Sequence, residues 1–195
     1  MKIIETNLNF GPLSHRSSTK ALVLHHAQHK TWNVYDVHAF HKNGRHWSGI
    51  GYHFFIDKNG HIFRGRPENV MGAHCLHHNH YTLGICVQGD YMQECMPAAQ
   101  KQSVIKLCKY LCSKYNIKII KGHKELSSTD CPGTNYPLSE IKNNILSSRS
   151  LTYTVKKGDT LWAISRKYNL SVSQLKALNN LSSEIIYPNQ MLKLK

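Results

Sequence analysis

An α/β domain followed by a second, smaller module is the architecture this chain of 195 residues predicts. Two observations carry the prediction. Short apolar runs of strand length alternate with a segment of helical periodicity through the first part of the chain. All 14 histidines and all 6 cysteines lie before residue 150, so the chemistry of those side chains is confined to one domain. The break coincides with Leu146-Ser147-Ser148-Arg149-Ser150, a polar stretch that reads as a linker. The expected boundaries are 1–146 for the first domain, 147–151 for the linker and 152–195 for the module.

Ala21-Leu22-Val23-Leu24 is a buried-strand run leading into His25-His26. Tyr52 to Ile56 and His61 to Phe63 flank Asp57-Lys58-Asn59-Gly60, whose Asn-Gly pair signals a hairpin. Leu83 to Val87 reads as another buried strand. Pro97 opens a helix, as proline does at a first turn. Val104, Ile105, Leu107, Cys108, Leu111, Cys112 and Tyr115 then follow the 3.6-residue period. Ile117 to Ile120 is a last strand running into His123. His25 and His123 thus stand at strand ends, where open α/β sheets commonly build their sites.

Composition sets the bounds. With 41% apolar and 18% charged residues the chain can bury one good-sized core plus a small module. No apolar run is long enough for a bilayer, so membrane insertion is not expected. Met1-Lys2-Ile3-Ile4-Glu5-Thr6-Asn7 lacks the apolar stretch of a secretory signal. Synthesis in the cytoplasm without a signal peptide is therefore the expectation. The net charge of +14 favours polyanionic partners. Its basic residues are scattered and no nucleic-acid motif accompanies them, so nucleic acid is not the expected partner. Cys75, Cys86, Cys95, Cys108 and Cys112 are expected as buried reduced thiols.

Gly122-His123-Lys124-Glu125-Leu126-Ser127-Ser128-Thr129-Asp130-Cys131-Pro132 offers an imidazole and a thiol eight residues apart. A second imidazole source, His25-His26, lies about a hundred residues upstream. Three N/S ligands without a fourth suit a catalytic zinc, which keeps one position open; a structural site closes with a fourth ligand, usually through C-x-x-C spacing absent here. The pattern is that of a metal-dependent hydrolase. Successive strand side chains face opposite ways, so one of His25 and His26 can meet the metal.

Five segments in order resemble the zinc-dependent N-acetylmuramoyl-L-alanine amidases, the family of phage lysozyme-type amidases and peptidoglycan recognition proteins. They are Val23-Leu24-His25-His26, Trp47-Ser48-Gly49-Ile50-Gly51-Tyr52-His53-Phe54, Gly72-Ala73-His74, Asn79-His80-Tyr81-Thr82-Leu83-Gly84-Ile85, and His123 to Pro132. The resemblance implies a mixed central sheet flanked by helices. It implies one Zn2+ on His25, His123 and Cys131, with His26 a packed neighbour. Tyr52 matches the tyrosine that stabilises the oxyanion, and Thr129 stands where some members carry a lysine. His74 and Asn79 match positions near the substrate groove, with Trp47 along it; His77, His78 and His80 read as solvated loop imidazoles. Recycling amidases place a glutamate where Cys86 stands, so no carboxylate base is assigned, and Glu125 reads as a surface residue.

Tyr153-Thr154-Val155-Lys156-Lys157-Gly158-Asp159-Thr160-Leu161-Trp162-Ala163-Ile164 resembles the opening of a LysM domain, and the match continues to Leu194. It implies a strand-helix-helix-strand fold. Thr160 would cap the first helix, while Leu161, Ile164 and Tyr168, then Leu175 and Leu178, repeat at helical spacing. The implied ligand is a glycan containing N-acetylglucosamine, held by Gly158, Asp159, Thr160, Leu161, Ile186 and Tyr187. The two resemblances converge on peptidoglycan, its muramic acid and stem peptide at one domain and its glycan at the other. The implied activity is hydrolysis of the muramoyl–L-alanine amide by an endolysin or autolysin, released from the cell through a holin-type route. The alternatives are a non-catalytic recognition protein and a recycling amidase.

Overall fold

The computed structural model describes residues 1–146 and 152–194, so the linker expected at 147–151 lies outside the described residues. Two compact units divide the chain, Met1–Asn143 and Asn144–Lys195.

The first unit begins with β1 (Ile3–Ile4) and β2 (Ala21–His26), the latter buried at every residue. A short helix α1 (Val34–Ala39) follows and widens into a π-helical turn, Phe40–Gly44. Asn33 caps α1 through a reciprocal box, its side chain accepting from Tyr35 and Asp36 N–H while Asp36 accepts from Asn33 N–H. The hairpin forms as β3 (Phe54–Ile56) and β4 (Ile62–Arg64), and Gly60 in its turn has φ +86°. Then come β5 (Thr82–Val87), α2 (Ala98–Lys114) and β6 (Ile119–Gly122). A 3-10 turn (His123–Glu125) and α3 (Leu138–Leu146), within which the division between the units falls, complete the order.

The six strands form one mixed sheet in the order β1-β4-β3-β5-β2-β6. Only β3 and β4 run antiparallel; the other neighbours are parallel. The expected mixed α/β sheet is present. Boundaries shift where turns compete: Ile117 is taken into the turn after α2, its N–H bonding to Cys112 O, so β6 starts two residues later than the apolar run.

Parallel pairing of the central strands fixes what stands beside what. Leu24 of β2 pairs with Gly122 of β6, and His25 pairs with Cys86 of β5. The residues that follow the first pair are His25 and His123. Register alone therefore brings the two imidazoles together.

The second unit is β7 (Thr152–Thr154), α4 (Leu161–Lys167), α5 (Val172–Asn179) and β8 (Met191–Lys193), with β7 and β8 antiparallel. Val155, Leu161, Ile164, Leu175, Leu192 and Leu194 form its core. Leu178, expected on the apolar face with Leu175, is instead more than a third exposed. Among the described residues no helix is long and apolar enough to cross a membrane.

Candidate metal centre

His25, buried on β2, His123, opening the 3-10 turn after β6, and Cys131 bring one ligand atom each to within 4.8 Å of one another. His25 Nδ1 lies 3.6 Å from Cys131 Sγ. His26 turns the other way, as alternation along a strand requires: its Nδ1 accepts from Tyr91 N–H at 3.1 Å.

Local structure holds the cluster. Lys124 N–H donates to Cys131 O at 2.7 Å, tying the His123 turn to the cysteine loop. Glu125 reaches back to Gly122 N–H at 2.6 Å and accepts from Lys142 of α3. Glu125 is thus a positioning residue for His123, not an idle surface charge. A glutamate three residues after a turn-initiating glycine was the available sequence signal.

The donor set fits a metal ion. Burial, then the neighbouring His74 and His123, pushes His25 well below its ordinary value, and burial lowers His123. Both rings are neutral near pH 7, the form that ligates. Burial pushes Cys131 up to about 12, partly opposed by the backbone N–H of His26. A coordinating thiol is deprotonated by the metal itself, so loading this cluster displaces a proton from Cys131. Two imidazoles and one thiolate make a soft, borderline set suited to zinc.

A cleft of about 290 Å³ opens beside the cluster, and Trp47, Tyr52, His74 and Thr129 line it together with His123 and Cys131. Tyr52 stands beside His25, ring centroids 5.0 Å apart. Burial, then Cys86 and Cys131, pushes its phenol well above the usual value, so it stays protonated and can donate. Thr129 Oγ accepts from Cys131 N–H at 3.3 Å, leaving its own hydrogen for the cleft. Trp47 packs on His41 at 4.8 Å.

Sequence reasoning missed the groups that aim Tyr52. His38 and His41 accept from Ile50 and Gly51 N–H at 3.3 and 3.1 Å. Buried Arg66 donates to Ile50 O at 2.7 Å and Met71 O at 2.8 Å, stapling the two loops that flank the cleft. A Cβ on Gly51 would sit 2.1 Å from Ala73 O, so only glycine lets these loops meet. The His38–His41 spacing on one helix face was a legible hint; the guanidinium's partners were not.

Several expectations need correction. Asn79 does not face the cleft: its Oδ1 accepts from His74 and Cys75 N–H at 2.9 and 3.0 Å, which closes the loop. His74 lines the cleft but is buried, with Nδ1 3.0 Å from His25 Nε2. His78 is half-buried and bonded to the Tyr81 hydroxyl, so only His77 and His80 are solvated. Cys95 is exposed and Cys112 partly so, the other expected core thiols being buried. In the second unit, Leu161 is buried in the core cluster with Leu175 of α5 and Leu192 of β8, so its side chain does not line a groove. Asp159 accepts from Tyr153 Oη and Lys156 N–H, both at 2.8 Å, and Thr160 accepts from Ala163 N–H as the cap of α4. Gly158, with φ +90° and open space around it, and exposed Tyr187 remain free to meet a ligand, with Ile186 packed against the core beneath.

Comparison with known proteins agrees with this arrangement. The model of the N-acetylmuramoyl-L-alanine amidase family matches residues 15–134, and that of the LysM domain matches residues 153–195. Peptidoglycan-recognition protein SC2 of Drosophila simulans is 36% identical over 103 residues, 51% of this chain and 56% of that protein. The chain thus spans little more than half the length of that relative. The endolysin of Escherichia phage T7 is 30% identical over 142 residues, 68% of this chain and 93% of the endolysin. Among solved structures, N-acetylmuramoyl-L-alanine amidase LysC from Clostridium intestinale URNW superposes with a TM-score of 0.73 at 41% identity, covering 75% of this chain and 98% of that one. A sheet whose register gathers two histidines, a cysteine on the following loop and a family match over the same residues lead to one conclusion: this chain belongs to the N-acetylmuramoyl-L-alanine amidase family.

Proposed function

We propose that this protein is a peptidoglycan hydrolase that cleaves the amide between N-acetylmuramic acid and L-alanine, with its LysM module keeping it on the wall. The observation that carries the reading is the His25, His123 and Cys131 cluster, with ligand atoms within 4.8 Å, beside a cleft that His123, Cys131 and Tyr52 line. Zinc held by these three would supply Lewis acidity toward the amide carbonyl and the attacking water.

The chain's own groups then divide the remaining work. Tyr52, kept protonated by burial, donates toward the oxygen that gains charge as the amide carbon becomes tetrahedral. Thr129 offers a second, weaker donor from the cysteine loop. Trp47 presents an indole face along which a sugar or peptide can lie. Cys86, buried against Tyr52 with its thiol pushed well above the ordinary value, cannot serve as a base. Gly158, Asp159, Thr160, Ile186 and Tyr187 would border the glycan site of the LysM module, Asp159 and Thr160 as shapers of its loop. A single module binds weakly, but tethering raises the local concentration of the amidase unit at the wall.

The test is digestion of purified peptidoglycan with chelator and with zinc restored. New L-alanine amines that vanish on chelation and return with zinc support the reading. New reducing sugars point to a glycosidase, and tight wall pelleting without release points to a recognition protein; either outcome overturns it.

A further inference from the structure

We propose that His74 and Thr82 are positioning residues that fix the tautomer of His25, so that its Nδ1 lone pair faces the cluster before any metal arrives. The proposal rests on the metal-centre reading above, and it follows from counting hydrogens along a buried chain.

His25 has two ring nitrogens. Nδ1 lies 3.6 Å from Cys131 Sγ and faces the cluster, while Nε2 lies 3.0 Å from His74 Nδ1. Two neutral imidazoles facing each other leave open which one donates. Thr82 settles it. Its hydroxyl donates its one hydrogen to His78 O at 2.7 Å, because a carbonyl can only accept. Toward His74 Nε2, 3.3 Å away, Thr82 Oγ therefore has only a lone pair to offer. His74 must carry its hydrogen on Nε2 and present a bare Nδ1 to His25. His25 in turn must carry its hydrogen on Nε2, which leaves Nδ1 bare on the cluster side. The direction of every bond is set by one backbone carbonyl, that of His78, three hydrogen bonds from the ligand.

The seat of His74 is built to hold this arrangement. A Cβ on Gly84 would lie 2.5 Å from His74 Cγ, and one on Gly72 would lie 2.3 Å from Cδ2. The ring therefore occupies a slot that exists because two glycines flank it. His25 and Thr82 are buried and His74 exposes only 7% of its surface, so the protein partners, and not bulk water, hold these nitrogens. A ligating histidine ordinarily has its second nitrogen held by a carboxylate, carbonyl or water. Here a histidine and a threonine do that task without adding charge to the site.

The test uses the full chain, metal-free and labelled with 15N, and reads the imidazole tautomers of His25 and His74 by long-range 1H–15N correlation. Both are expected as Nε2–H. Zinc affinity is then measured by competition with a chromophoric chelator in wild type, Thr82→Val and Thr82→Ser. Valine keeps the shape but removes the acceptor, so His74 should redistribute toward Nδ1–H and zinc should bind about 10- to 100-fold more weakly. Serine should restore both readouts. An Nδ1–H tautomer at His25 in the wild type, or a Thr82→Val protein with unchanged tautomers and zinc affinity, overturns the proposal. Wild-type protein with the stated tautomers but no zinc binding overturns the metal reading itself, so the two failures are told apart.

Discussion

Tyr52 is the side chain whose removal separates chemistry from architecture. Its phenol stays protonated beside His25, and its ring fills space that phenylalanine would fill equally well. Tyr52→Phe should lower turnover about 100-fold, the usual cost of one oxyanion donor, while zinc content and wall binding stay unchanged. Steady-state release of L-alanine amines with metal analysis checks this; unchanged turnover would reduce Tyr52 to packing. A second residue-scale effect concerns pH. Burial pushes His53 down to about 3 and His41 down to about 4. Both rings are held neutral in the fold: His53 Nδ1 accepts from Gly84 N–H and His41 Nδ1 from Gly51 N–H. The unfolded chain takes up these protons below about pH 6.5, so stability is full above that pH and is lost as pH falls toward 4 and then 3. Urea unfolding of chelated protein at pH 7 and pH 5 should show the lower stability at pH 5; equal midpoints would mean these rings are not neutral in the fold. The ligands were legible as residue types at telling spacings. The roles of His74 and Thr82 behind His25, and of Arg66 behind the Tyr52 loop, were not, because they depend on which ring nitrogen or carbonyl each side chain meets once the loops have packed.

At the scale of elements, β2 and β6 carry the site and the 3-10 turn aims it. Glu125 satisfies Gly122 N–H and binds Lys142, so it links the end of β6 to α3. Glu125→Ala should cost about 1 kcal/mol and weaken zinc binding by freeing His123, with Glu125→Gln intermediate because an amide oxygen can still accept from Gly122. Chemical denaturation together with chelator competition measures both. The strands were legible because apolar runs of four to six residues have few alternatives to a buried sheet. Shorter pieces were not. The two residues of β1 pair with β4, about sixty positions along the chain, and are too few to show a period, and the π-helical turn at Phe40–Gly44 widens a helix with no sequence signature of its own. The capping box of α1, Asn33 with Asp36, was a readable signal that the period-based reading passed over.

Over the whole molecule, two units with separate cores imply two separable failures. Leu175 is fully buried in the second unit, and Leu175→Ala should destabilise that unit by about 2–5 kcal/mol. Pelleting on purified walls should fall, while cleavage of a soluble muramoyl peptide stays near wild type. Loss of both activities together would mean that the units do not act separately. The net charge of +14, with +5 of it in the tail, should make wall binding weaken as salt rises from 50 to 500 mM, as screening shortens the reach of the field. Sequence by itself determined the α/β class, the division of labour between a domain rich in metal-ligating side chains and a tail without them, and a ligand pattern of two imidazoles and a thiol, because periodicity and residue chemistry are local properties; the choice of His25 over His26 came from the family resemblance. Tertiary structure alone decided that Leu24 pairs with Gly122, that Asn79 closes its own loop, and that a threonine hydroxyl stands two hydrogen bonds from His25. Register and hydrogen-bond direction arise only when distant segments pack, and no linear pattern records them.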